Sequence, residues 1–141
     1  MSTTPTLSDN IEELKHIAVF PPNWDNEGAL PFGADFIQEL IGITINLPVQ
    51  PDIGSTGRGS IDFEYGSMRD GHKYLNIEIF QTDRTVKVYQ KDSTGDRANY
   101  LISLSDIRGC VRCFLENDNI CVLEVYERKQ LPPGYFDQPC Q

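Results

Sequence analysis

Three short runs decide the fold of this chain: SIDFEY at residues 60–65, YLNIEIF at 74–80 and VKVY at 86–89. In the first, Ile61, Phe63 and Tyr65 alternate with Asp62 and Glu64. In the second, Leu75, Ile77 and Ile79 alternate with Asn76, Glu78 and Phe80. In the third, Val86 and Val88 alternate with Lys87 and Tyr89. Alternation with period two puts one set of side chains on each side of an extended strand. The links GSMRDGHK and QTD have the composition of hairpin turns. The reading is therefore an antiparallel meander of three to five strands, with a fourth expected from Tyr100 to Leu104. Its aliphatic face needs a cover of helices. Its other face carries Asp62, Glu64, Asn76, Glu78, Lys87 and Tyr89.

Helical periods flank the meander. On the N-terminal side, Asp9-Asn10-Ile11-Glu12 has the form of a capping box, and residues 1–7 read as a loose leader. Ile11, Leu14, Ile17 and Ala18 make one apolar stripe, which Pro21-Pro22 stops. Phe36, Ile37, Leu40, Ile41 and Thr44 make a second, opened at Pro31 or at Gly33–Asp35 and running to about Leu47. Pro48 and Pro51 then lead into an extended connection. On the C-terminal side, Ser105-Asp106 caps a third helix to about Asn117. Ile120–Tyr126 (ICVLEVY) reads as a final strand or as more helix, and residues 131–141 as an irregular tail. The expectation is a single α+β domain over 1–141: two N-terminal helices, the sheet with helices on one face, and one C-terminal helix.

Composition narrows the function. The 141 residues hold 12 basic and 21 acidic side chains, a net charge of −9. That is the wrong sign for a generic nucleic-acid backbone binder. Residues 1–50 alone hold seven acids and one lysine, Lys15, so the N-terminal third is the acidic pole. No stretch approaches the roughly 18 apolar residues of a membrane span. The start, MSTTPTLSDN, has neither the basic patch nor the apolar run of a signal peptide. A cytoplasmic protein is expected. Its cysteines, Cys110, Cys113, Cys121 and Cys140, then read as free thiols. Cys110-x-x-Cys113 invites a metal reading. However, neither His16 nor His72 lies near it, and Ile107, Cys110, Val111, Phe114 and Leu115 follow one helix face. Cys110 is read as core, and no cofactor or metal is expected.

Three places can carry chemistry. On the polar sheet face, Asp62, Glu64 and Glu78 could gather a divalent cation or act as acid and base. The plainer alternative pairs them with Lys87 and Arg84 across strands. Gly54-Ser55-Thr56-Gly57-Arg58-Gly59-Ser60 could form an anion nest. It lacks the lysine and spacing of a phosphate loop and leads into a strand rather than a helix. Arg58 is suited to pairing bidentately with a carboxylate, from Asp25 or Glu27 among others. Finally, the only tryptophan, Trp24, stands in the loop Asn23–Pro31. It either plugs the core with its indole N–H satisfied locally, or offers a contact surface. No nucleophile or zinc-hydrolase motif occurs.

Two blocks add a resemblance. Asn23-Trp24-Asp25-Asn26-Glu27-Gly28-Ala29-Leu30-Pro31 resembles the NWDGxGAxP signature of small, largely uncharacterised bacterial proteins. Gly57–Tyr65 with Tyr74–Phe80 resembles the RGSIxFEYE…YLEFEIF block of the same proteins. Asn26 stands where they usually have glycine. The likeness covers about residues 10–90 and carries over no catalytic residue. It implies an accessory protein of mobile, defence or toxin–antitoxin loci. The resulting expectation is a non-enzymatic, acidic protein that binds and regulates a protein partner with a basic surface through Trp24, Asp25, Glu27, Arg58 and the acids of the first helix. It would bind neither nucleic acid nor membrane. The alternative is a small metal-dependent hydrolase or nucleotide-binding module using Arg58 with Asp62, Glu64 and Glu78. Self-association through a sheet edge near Val86–Tyr89 is a third expectation.

Overall fold

A computed structural model of the chain describes residues 4–25, 28–66, 73–117 and 120. Two helices come first, α1 (Leu7–Ile17) and α2 (Ala34–Ile45). Five strands follow: β1 (Asp52–Ser55), β2 (Ser60–Gly66), β3 (Tyr74–Phe80), β4 (Val86–Lys91) and β5 (Arg97–Ile102). A short 3-10 turn (Leu104–Asp106) then runs into α3 (Ile107–Glu116). The strands pair antiparallel in sequence order, β1-β2-β3-β4-β5. The class is α+β around one antiparallel sheet.

The register follows the alternation. Phe63 lies opposite Ile77, and Ile77 opposite Val88. These residues form one buried cluster with Ile61, Leu75, Ile79 and Val86. From the helices the cluster takes Leu14, Ile17, Phe36, Ile37, Leu40, Ile107, Cys110, Val111 and Phe114. Burying each large apolar side chain contributes about 1.5–3 kcal/mol, and this cluster is the main source of stability.

Several boundaries differ from the sequence expectation, each for a local reason. Helix α1 begins at Leu7, so the leader stops at Thr6. The cap is Thr6, not Asp9. The Thr6 hydroxyl accepts the Asp9 N–H, and the Asp9 carboxylate accepts the Thr6 N–H, each at 3.0 Å. Asp9 is the third helical residue of that capping box. The third helix takes Asp106 as its N-cap, as expected, though without a side-chain cap bond; the 3-10 turn ahead of it is capped at Ser103, with Asp106 closing that box. β5 begins at Arg97, before the expected Tyr100, because the Asp92 turn starts the strand early. Asp92 Oδ1 accepts the N–H groups of Thr94 and Asp96 at 2.9 and 3.0 Å, and the Thr94 hydroxyl at 2.6 Å.

Strand β1 falls in what reads as a connection. Asp-Ile-Gly-Ser carries no alternation of its own, and it is a strand because β2 supplies its partners, from Asp52 opposite Glu64 to Ser55 opposite Ile61. Asn10 of α1 fixes its entry, donating to the Pro51 carbonyl at 2.9 Å and to Gln50 at 3.0 Å. With β5 in place, β4 is an internal strand. Val86–Tyr89 is therefore not a sheet edge; among the described residues the edges are β1 and β5. At Gly66, φ is +83° and a Cβ would collide with the Lys73 carbonyl, so the β2–β3 pair closes only over glycine. Among the described residues no helix is long and apolar enough to cross a membrane. Residues 121–126 of the ICVLEVY stretch, the tail from 131, His72, Cys121 and Cys140 lie outside the described residues.

Candidate functional site

The two blocks that carry the resemblance meet in space. The turn between β1 and β2 reverses through Gly57 (φ +82°) and Gly59 (φ +78°). Thr56 closes it, accepting the Arg58 N–H at 3.2 Å and bonding Ser60 Oγ at 2.5 Å. The tryptophan loop lies against this turn. A Cβ placed on Gly57 would stand 2.8 Å from Asp25 Oδ2, so the glycine makes room for the Asp25 carboxylate. Asp25 also accepts the Ala29 N–H at 3.1 Å. The loop is closed further by Asn23, whose N–H reaches the Ala29 carbonyl at 2.6 Å and whose side chain accepts the Gly28 N–H at 2.6 Å. Asn23 holds a left-handed φ of 60°, which asparagine tolerates.

Arg58 leaves the turn and forks onto Glu78 of β3. Its Nε donates to Oε2 at 2.7 Å and its Nη2 to Oε1 at 2.6 Å. Glu78 of the sheet is thus a bidentate carboxylate for Arg58, while Glu27 of the tryptophan loop lies outside the described residues. Glu78 is only 5% exposed and also accepts the Ser60 hydroxyl at 2.5 Å. A buried carboxylate needs such partners, and here one arginine and one serine supply them. The Arg58 guanidinium also lies over the Phe80 ring, 5.9 Å from its centroid.

Asp62 stands opposite Glu78 in the register, and Glu64 opposite Asn76. Burial raises the Asp62 carboxyl to about 6, and the neighbouring Glu78 charge adds to this. The Asn76 side chain and Arg58 act the other way. Glu64 accepts the Tyr74 hydroxyl at 2.6 Å, and the Tyr74 ring lies 6.0 Å from that of Tyr89. Among the described residues no group of three or more His, Cys, Asp or Glu side chains is placed to hold a metal ion. Asp62, Glu64 and Glu78 share a face but do not converge as a ligand set. Arg84, expected to pair with the sheet acids, reaches α2 instead. Its Nε donates to Glu39 at 2.6 Å and its guanidinium covers Phe36 at 4.8 Å.

Trp24 is half-buried against the core, its ring 4.8 Å from that of Phe20. Its indole N–H is enclosed and meets no hydrogen-bond acceptor among the described residues, against the expectation of a local partner. Glu27 and Asn26 lie outside the described residues. Cys110 is core: burial pushes its thiol up to about 11, and its sulfur lies 3.5 Å from the Tyr100 hydroxyl. A thiol so placed is not a nucleophile at neutral pH.

A second feature is legible in the sequence only as acidity. Asp9, Glu12, Glu13 and His16 of α1, with Pro5, face Asp52 and Ile53 of β1 across an open groove. Three carboxylates, those of Asp9, Glu12 and Glu13, line its α1 wall. The Asp9 carboxyl lies below the ordinary carboxylate value because it accepts the Thr6 N–H. Sequence periodicity places these acids on α1, but the β1 wall is invisible until β1 is known to be a strand.

Comparison with protein-family models, with curated proteins and with solved structures returns no match to this chain.

Proposed function

We propose that the chain is a non-enzymatic interaction protein that binds and restrains a protein partner with a basic surface, as an antitoxin, immunity or defence-accessory component would. The observation that carries this reading is the open acidic groove between α1 and β1, where Asp9, Glu12 and Glu13 of α1 stand beside the β1 edge. Clustered carboxylates raise encounter rates with cationic surfaces and set orientation. The net charge of −9 adds long-range attraction of the same sign. The resemblance to accessory proteins of defence and toxin–antitoxin loci supplies the class of partner.

The enzymatic alternative loses support at the residues it needs. Arg58 has two donors committed to Glu78, and the sheet carboxylates do not form a ligand set. Trp24 and Asp25 support the reading by shaping the loop after α1, on which a partner would also rest.

The test is capture of partners by the tagged full-length chain in its source cell, at low and at moderate salt. A single stoichiometric protein is expected at low salt, weakened at moderate salt because exposed charge pairs are screened within about 10 Å at 0.1 M. The variant Glu12→Lys/Glu13→Lys, folded as judged by circular dichroism, is expected to lose it. Capture of no partner, or full retention by that variant, overturns the proposal.

A further inference from the structure

The polar face of the sheet takes no part in the hydrophobic cluster. The buried apolar side chains of α1, α2 and α3 all belong to the opposite, aliphatic side. Yet the polar face is not a uniformly hydrated surface. It carries Tyr74, Tyr89, Phe80 and Leu101 among its charges, as the register shows. Its charges are also sorted by strand. The acids Asp52, Asp62, Glu64 and Glu78 lie on β1, β2 and β3, while Lys87, Lys91 and Arg97 lie on β4 and β5. With Arg58 on Glu78 the face holds four acids and four bases, so it has no net attraction for a basic partner.

A face that is acidic on one half and basic on the other is complementary to itself. A two-fold axis lying in the contact plane and running along β3 carries β2 of one copy over β4 of the other. Asp62, Glu78 and Lys87 are in line across the strands. That operation therefore sets Asp62 against Lys87 of a second copy, and Lys87 against its Asp62. The next line, Glu64, Asn76 and Tyr89, sets Glu64 against the Tyr89 hydroxyl of the second copy in the same reciprocal way. We propose that two copies of the chain associate through the polar faces of their sheets, with reciprocal Asp62–Lys87 pairs flanking the axis along β3.

The physical gain is specific. Asp62 is half-buried with a like charge opposite it in Glu78, and a cation delivered from across the contact relieves Asp62. Lys87 is already held over the face, its Nζ 4.7 Å from the centre of the Phe80 ring. Isologous contacts of this kind close at two copies. Five strands at about 4.8 Å spacing give a footprint of roughly 400 Å², half the roughly 800 Å² per partner of a standard interface. The dimer is accordingly weak and concentration-dependent.

Sedimentation of the full-length chain over roughly 5–500 μM, at low and at high salt, measures it. The expected result is a monomer–dimer equilibrium that shifts towards monomer by at least tenfold in dissociation constant at high salt. Asp62→Lys alone and Lys87→Glu alone are each expected to be monomeric. Mixed in equal amounts, they are expected to recover a one-to-one dimer, because one variant then presents only bases at the two positions and the other only acids. If Asp62→Lys does not fold, Tyr89→Glu, which opposes Glu64 across the contact, is expected to give a monomer in its place. A wild type that stays monomeric throughout at low salt overturns the proposal. So does a dimer that the folded single variants retain, or a mixture of folded variants that recovers nothing.

Discussion

Asp62 shows how much one position on a strand can carry. Its carboxyl is raised from 3.8 to about 6, first by burial and then by Glu78. A carboxyl that holds its proton more tightly folded than unfolded destabilises the fold at any pH above both values. That penalty is absent below about pH 4, grows between 4 and 6, and is complete above 6. Asp62→Asn keeps the shape and removes the charge. At low micromolar concentration it is expected to raise stability by about 1–2 kcal/mol at pH 8, a figure reduced for solvent screening, and to have lost that advantage by pH 4. Urea unfolding at the two pH values checks it, and an advantage that does not shrink in acid would contradict it. Asp62 was legible as an exposed-face residue from alternation alone. Its crowding by Glu78 was not, because register depends on hairpin geometry that composition does not specify. The same holds for Arg58: its residue type announced a bidentate partner, but only the register of β2 and β3 identifies Glu78 as that partner.

At the scale of elements, the helices are defined more sharply by their ends than by their stripes. Thr6 and Asp9 bond each other's backbone N–H groups at the start of α1. At the other extreme of the chain, Lys73 Nζ donates to the carbonyls of Phe114 at 2.6 Å and Asn117 at 3.1 Å, closing the end of α3. A cation at a helix C-terminus satisfies orphan carbonyls and complements the dipole. Thr6→Ala is expected to cost about 1 kcal/mol in chemical denaturation, the usual value of an N-cap hydroxyl. A change under a few tenths would place the cap elsewhere. The apolar stripes of all three helices could be read from the sequence. The cap of α1 was displaced to Thr6 because the helix has a second plausible capping residue, Asp9, close by, and only the backbone decides which is used. Strand β1 was hidden for a different reason: four residues containing a glycine carry no periodic signal, and their pairing is imposed by β2.

On the scale of the whole molecule, helices and sheet share one buried cluster, and Trp24 packs against it while the strands form one antiparallel sheet. The fluorescence of the single tryptophan and the circular dichroism of the sheet therefore report different regions of one core. Their urea transitions are expected to coincide with one midpoint. Two separated midpoints would divide the chain into independent units.

The turns of the sheet lead to a consequence for engineering. Hairpin tips are ordinarily where a peptide can be spliced into a protein without harm. Here each described tip is tethered to something distant in sequence. The first is held by Arg58 on Glu78, the second by Arg84 on Glu39, and the third by Asp92, which accepts the Ile120 N–H at 3.3 Å. An epitope or fluorescent insert placed at any of the three would cut a long-range strut rather than lengthen an idle loop. At these three turns the usual map of permissive insertion sites is inverted, and the described hairpins act as fasteners.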